Sequence, residues 1–152
     1  MMRMIAILSL VAMLGAAMLV WQDKAKAKVD ITETGPNGLP IIFWRIEQDD
    51  RSAVRALIAT GIDIEIKGFQ QATPAISAAA ANSWITTKLL IELGADVRAA
   101  DLRGFTLPWM ADNSQMNPDA REGRALAEVK ALLAAQGLMT RIYQPREVEA
   151  MV

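Results

Sequence analysis

The chain has 152 residues, 53% of them apolar and 22% charged, with a formal net charge of −1. This composition supports a buried core and excludes wholesale disorder, and the near-neutral charge gives no electrostatic draw toward nucleic acid or an anionic membrane surface. Cysteine and histidine are both absent, which removes a disulfide framework, a thiol nucleophile, a thiolate zinc site, the commonest metal ligand and the usual base near neutral pH.

Met4 to Trp21 form one apolar run of 18 residues, preceded by Arg3 and followed by Gln22, Asp23, Lys24, Ala25, Lys26, Ala27 and Lys28. A basic start, an apolar centre and a small-x-small pair predict a secretory signal peptide cleaved after Ala27. The run is also long enough for a short membrane-spanning helix. An uncleaved anchor over residues 1–27 is therefore the competing expectation, and Lys24, Lys26 and Lys28 weigh against the export orientation. A buried core helix is a third reading, disfavoured because no polar face interrupts the run. Either of the first two readings places residues 28–152 outside the cytoplasm.

Beyond this segment, marked positions recur at an interval of 33 residues. Gly38, Gln71 and Gly104 fall on it, as do Pro40, Thr73 and Thr106, and Phe43, Ile76 and Trp109. Leu57 with Leu90, Ile58 with Ile91, and Gly61-Ile62-Asp63-Ile64 with Gly94-Ala95-Asp96-Val97 repeat it. A fixed interval of this size signals one supersecondary unit used several times.

The local chemistry is helical. Pro74 suits a first helical turn, where its missing N–H costs nothing. Ala78, Ala79, Ala80 and Ala81 give a thin helix that neighbours can approach. Ile85, Leu89 and Leu90 form an apolar stripe on the next helix. Gly61 and Gly94 are placed to end helices in the left-handed conformation. Asn117, Pro118 and Asp119 read as the N-cap, first residue and first-turn acid of a helix running to about Gln136 and stopped by Gly137. Pro145 to Met151 form a last short helix that covers the open end.

These residues resemble the ankyrin repeat. In that family each unit is a Gly-x-Thr-Pro turn, a short helix, a longer helix ending in Leu-Leu-x-x-Gly-Ala-Asp, and an extended finger. Thr73-Pro74-Ala75-Ile76-Ser77-Ala78-Ala79 matches the opening and Lys88 to Val97 the close, while Asp101 to Thr106 opens the next unit. The resemblance covers residues 36 to 137. It implies an all-α fold: a short ankyrin-repeat solenoid of about three helix-turn-helix units plus a C-terminal cap, with residues 28–152 as one domain. Departures are specific. Phe43, Ile76 and Trp109 stand where the family has His, Gln71 replaces the turn Gly, and Arg45 replaces a small Ala. Pro108 comes one place late, and about ten residues are inserted around Asp112 to Met116.

Clusters with chemical potential are few. Glu47, Asp49 and Asp50 lie together near the first inter-helix turn, without further ligands close in sequence. Asp63 and Asp96 occupy one repeat position, where Asp bonds its own turn. Ser77 and Ser83 lack a partner to activate them. No catalytic residue, metal ligand or cofactor is expected, and no enzyme activity. Trp44, Trp84 and Trp109 are open between core and contact.

The resemblance implies a scaffold that binds another protein through the fingertips and short helices of its concave side. Its variable positions carry across as Asn37, Leu39, Glu47 and Gln48, then Phe69, Gln70, Ala72, Ala80 and Ala81, then Leu102, Arg103, Phe105, Asn113 and Ser114. Phe69, Leu102 and Phe105 are apolar where solvent is expected, and Arg103 adds a directional donor, as at the centre of an interface. The expected partner is a toxin-like protein that an exported, periplasmic immunity protein neutralises. A scaffold or support for an envelope enzyme such as a peroxide-detoxifying catalase is the alternative. The free chain is expected to be monomeric, to bind no nucleic acid, and to meet the inner membrane only through residues 1–27 if they are retained.

Overall fold

A computed structural model gives the fold of residues 30–151. The signal-or-anchor segment, residues 1–27, lies outside these described residues. Among the described residues seven α-helices follow in chain order: α1 (Ile41–Glu47), α2 (Arg51–Thr60), α3 (Pro74–Ala80), α4 (Trp84–Glu92), α5 (Leu107–Asn113), α6 (Arg121–Ala135) and α7 (Pro145–Glu149). A 3-10 turn spans Phe69–Gln71. Among the described residues there is no strand, only the isolated bridges Thr34–Pro40 and Ala100–Thr106. The all-helical expectation holds. No described helix is long and apolar enough to cross a membrane.

The 33-residue interval is written into the backbone. Pro40, Thr73 and Thr106 are the N-cap residues of α1, α3 and α5. The Thr73 and Thr106 hydroxyls accept from the Ile76 and Trp109 N–H groups at 3.3 and 3.4 Å, satisfying donors the first turn leaves free. Each turn ahead of these caps is closed by the same bond: Gly35 to the Leu39 carbonyl, Gly68 to Ala72, and Asp101 to Phe105. In each turn the third residue along is left-handed, with φ of 75° at Gly38, 58° at Gln71 and 75° at Gly104. Gly61, Gly94 and Gly137 follow α2, α4 and α6, also at positive φ. The next N–H in each case turns back to Leu57, Leu90 and Leu133.

The helices form two rows. α1, α3 and α5 pack side by side, α4 packs on α6, and each of α1–α2, α3–α4 and α5–α6 packs as a pair. Ala75 and Ala78 are fully buried, so α3 is approached from both sides. Ile42, Leu57, Ile76, Leu90, Leu107 and Leu133 run through the core, which carries the main favourable term of folding. α4 is buried over more than a stripe. Trp84, Thr86 and Thr87 are all fully covered, and the threonine hydroxyls donate to Asp49 and to the Ser83 carbonyl at 3.2 and 3.0 Å.

Two local readings are corrected. Asn117 does not cap a helix. Its side chain accepts from the Asp119 N–H and its carbonyl from Ala120, so the Asn-Pro-Asp segment closes a turn, and α6 begins at Arg121. The last helix is α7, Pro145–Glu149, so it ends before Met151. By contrast, Asp63 and Asp96 do close turns, accepting from the N–H of Glu65 and Arg98 at 2.9 and 2.8 Å.

Candidate functional site

The turns and the short helices α1, α3 and α5 make one face, called the inner face below. Two turns meet there directly: the Leu102 N–H donates to the Gln70 carbonyl at 2.9 Å. That bond sets Phe69 and Leu102, 68% and 61% exposed, on neighbouring turns. Phe69 therefore does not fold back onto the stack.

Arg103 is held from below. The Asp101 side chain is fully buried and accepts from the N–H groups of Arg103 and Phe105, at 2.9 and 3.0 Å. It also accepts Arg103 Nε and Nη2 at 2.9 and 2.6 Å. A buried carboxylate with this many donors is satisfied and fixes the guanidinium plane. The guanidinium carbon lies 4.8 Å from the centre of the Phe105 ring, and that ring lies 4.8 Å from Trp109, tilted by 52°. Trp109 Nε1 in turn donates to Gln144, from the segment leading into α7, at 3.2 Å. Arg103 Nη1 has no partner among the described residues.

Two hollows of about 330 Å³ each flank Arg103 and share it and Ala80. The first is lined by Leu39, Phe43, Glu47, Phe69, Ala80 and Ala81 among others. The second runs from Ala79 and Ala80 to Phe105, Trp109, Met110 and Asn113. Of the positions expected to contact a partner, Leu39, Glu47, Phe69, Ala72, Ala80, Ala81, Arg103, Phe105, Asn113 and Ser114 line one hollow or the other.

The remaining positions divide. Leu102 and Gln48 are exposed but line neither hollow. Gln70 is half-buried and contributes its carbonyl to the turn-to-turn bond. Ala72 is buried and shows only a small part of its surface, in the wall of the first hollow. Phe105 is half-buried beneath Arg103 rather than solvent-facing. Ser114 is already engaged, accepting from Trp84 Nε1 at 3.2 Å and donating to Asn82 at 3.0 Å. Trp84 is accordingly core, and Trp109 is a half-buried prop. Ser77 and Met110 also line the hollows. They sit one interval apart, a signal the repeat carried but the composition of neither position announced.

The acidic group at the first inter-helix turn has three separate tasks. Asp50 caps α2, and the Ala53 N–H, then the Ser52 hydroxyl, hold its carboxyl below the usual carboxylate range. Asp49, at φ 52°, pairs with Arg51 at 3.3 Å and accepts from Thr86. Glu47 accepts a long bond from Asn37 at 3.4 Å. No protein-family profile matches the sequence, and no curated protein matches it either.

Proposed function

We propose that the chain is an ankyrin-repeat protein that binds another protein through its inner face, and that it acts by occluding that partner as an inhibitor does. The 33-residue recurrence of caps, turn bonds and left-handed residues supports the family reading. The observation that carries the binding reading is the pair Phe69 and Leu102, two large apolar side chains held in solvent on adjacent, hydrogen-bonded turns. Isolated exposed apolar residues are ordinary, whereas a grouped pair beside shaped hollows marks a contact surface. Arg103 completes it. Its orientation is set before a partner arrives, so little side-chain freedom is lost on binding. Asp101 neutralises most of its charge, which suits the free Nη1 to a partner's carbonyl or carboxylate oxygen.

The test uses a photo-crosslinking residue at Leu102 or at Lys130 of α6 in the full-length chain, expressed in its own cells. The partner captured from Leu102 is then purified and titrated against variants. Phe69→Ala, Leu102→Ala and Arg103→Ala should each weaken binding by about 30-fold, or roughly 2 kcal/mol, with Lys130→Ala unchanged. Phe69 and Leu102 are exposed, so those variants keep the fold. Wild-type affinity in all three inner-face variants, with loss on changing Lys130, would reject the inner face.

A further inference from the structure

At the far end of the array, α7 and the segment after α6 close over a separate hollow of about 420 Å³. Its apolar wall is Val97, Pro108, Leu138 and Val148. Its charged groups are Arg98 and Arg141, and no acidic side chain lines it. The volume falls in the range of about 300–1,000 Å³ usual for small-ligand sites, and apolar walls with a few placed polar groups are their usual chemistry.

Neither arginine has an ion-pair partner among the described residues. The Arg141 guanidinium carbon lies over Tyr143, 4.6 Å from the ring centre, and its side chain makes no hydrogen bond to a described residue. Arg98 makes one long bond to Gln136 at 3.4 Å. The acids nearest in sequence are turned to other work. Glu147 accepts from the Gln144 N–H at 2.7 Å, and Asp96 accepts from the Arg98 N–H. Among the described residues, two guanidinium groups at one apolar hollow have no counter-charge, and a planar carboxylate matches their geometry.

We propose that this hollow binds a carboxylate carried on an apolar group, the carboxylate on Arg98 and Arg141 and the apolar group against Leu138 and Val148. Two sources share this chemistry: a small organic acid and the terminal carboxylate of a peptide. The site is independent of the inner face, and either reading can fail without the other.

The experiment titrates the ¹⁵N-labelled full-length chain, in a non-ionic detergent, with N-acetyl-leucine, N-acetyl-leucinamide, acetyl-Gly-Gly-Leu and inorganic phosphate across the millimolar range. The acid should shift the amides of Leu138, Thr140 and Val148, and the uncharged amide should bind about tenfold more weakly or worse, since bonds to a charged group are lost. Tighter binding of the tripeptide would identify a peptide terminus, and equal binding a small acid. Arg98→Gln and Arg141→Gln should each weaken binding by about tenfold, while Arg55→Gln on α2 should not. Both arginines are exposed, and an otherwise unchanged amide spectrum confirms that the variants are folded. The proposal is overturned if N-acetyl-leucinamide or phosphate binds as well as the acid, if the shifts fall elsewhere, or if none of the probes binds.

Discussion

Gln71 occupies the turn position filled by Gly38 and Gly104, and its φ is 58°. A non-glycine residue held left-handed costs about 1–2 kcal/mol, because Cβ crowds the following carbonyl. The Gln71 side chain is exposed and makes no hydrogen bond to a described residue, so little contact offsets that strain. Gln71→Gly removes it and gives back about 0.5–1 kcal/mol through the freer unfolded chain. The expected result is a net stabilisation of about 0.5–1 kcal/mol. Urea unfolding followed by circular dichroism should show a higher midpoint at unchanged slope, with a melting temperature raised by a few degrees. Gly104→Ala is the counterpart. It shares the positive φ, and its new Cβ would meet the Pro145 carbonyl, so it should lose about 2 kcal/mol or more. The reasoning is refuted if Gln71→Gly loses stability, or if the two variants respond alike.

Two further changes test the local physics. Helix propensity alone favours Gly123→Ala by about 1 kcal/mol, yet the added Cβ would run into the Asn117 carbonyl. The variant should instead lose about 1–2 kcal/mol in urea unfolding, and a gain would mean that the turn before α6 moves aside. Asp50→Ala should cost about 1 kcal/mol at neutral pH as a lost N-cap. Since the folded-state pKa of Asp50 is depressed, its contribution is present above the unfolded-state pKa and fades as pH falls through the folded value. The unfolding curves of wild type and variant should therefore converge in acid, and a gap constant with pH would contradict the assignment.

The features legible in the sequence are those that repeat or that depend on a residue's own backbone. Pro74 in a first helical turn, the left-handed Gly61 and Gly94, and the turns at Asp63 and Asp96 all belong to this kind. What stayed hidden depends on distant partners. Asn117 reads as a cap by local preference, but the approach of Gly123 to its carbonyl goes with an earlier turn. No side chain of Ser83 caps α4. The Ile85 N–H is satisfied by Glu122, 37 residues later. Ser114 sits at a position expected to face a partner, yet Trp84 and Asn82 claim it. The hollow bearing Arg98 and Arg141 is assembled from segments between Val97 and Met151, and no periodicity points to it. On the inner face, the exposure of Phe69 and Leu102 follows from their place in the repeat, and the buried carboxylate that orients Arg103 does not.

The bonds between neighbouring units differ in how freely they can be exchanged. Leu102 to Gln70 uses backbone alone and so does not depend on the side chains at either position. Thr86 with Asp49, Trp84 with Ser114, and Lys88 with Glu128 are side-chain matches, and the middle unit supplies one member of each. An in-register excision of the 33-residue middle unit would keep the flanking turns and leave Asp49, Ser114 and Glu128 without the residues they fit. Insertion of a second middle unit would place two candidates before one partner. The periodic grammar of the chain permits gain and loss of units, but these private pairings oppose both. Descendants of this protein should therefore vary by substitution at constant length rather than by lengthening or shortening the array.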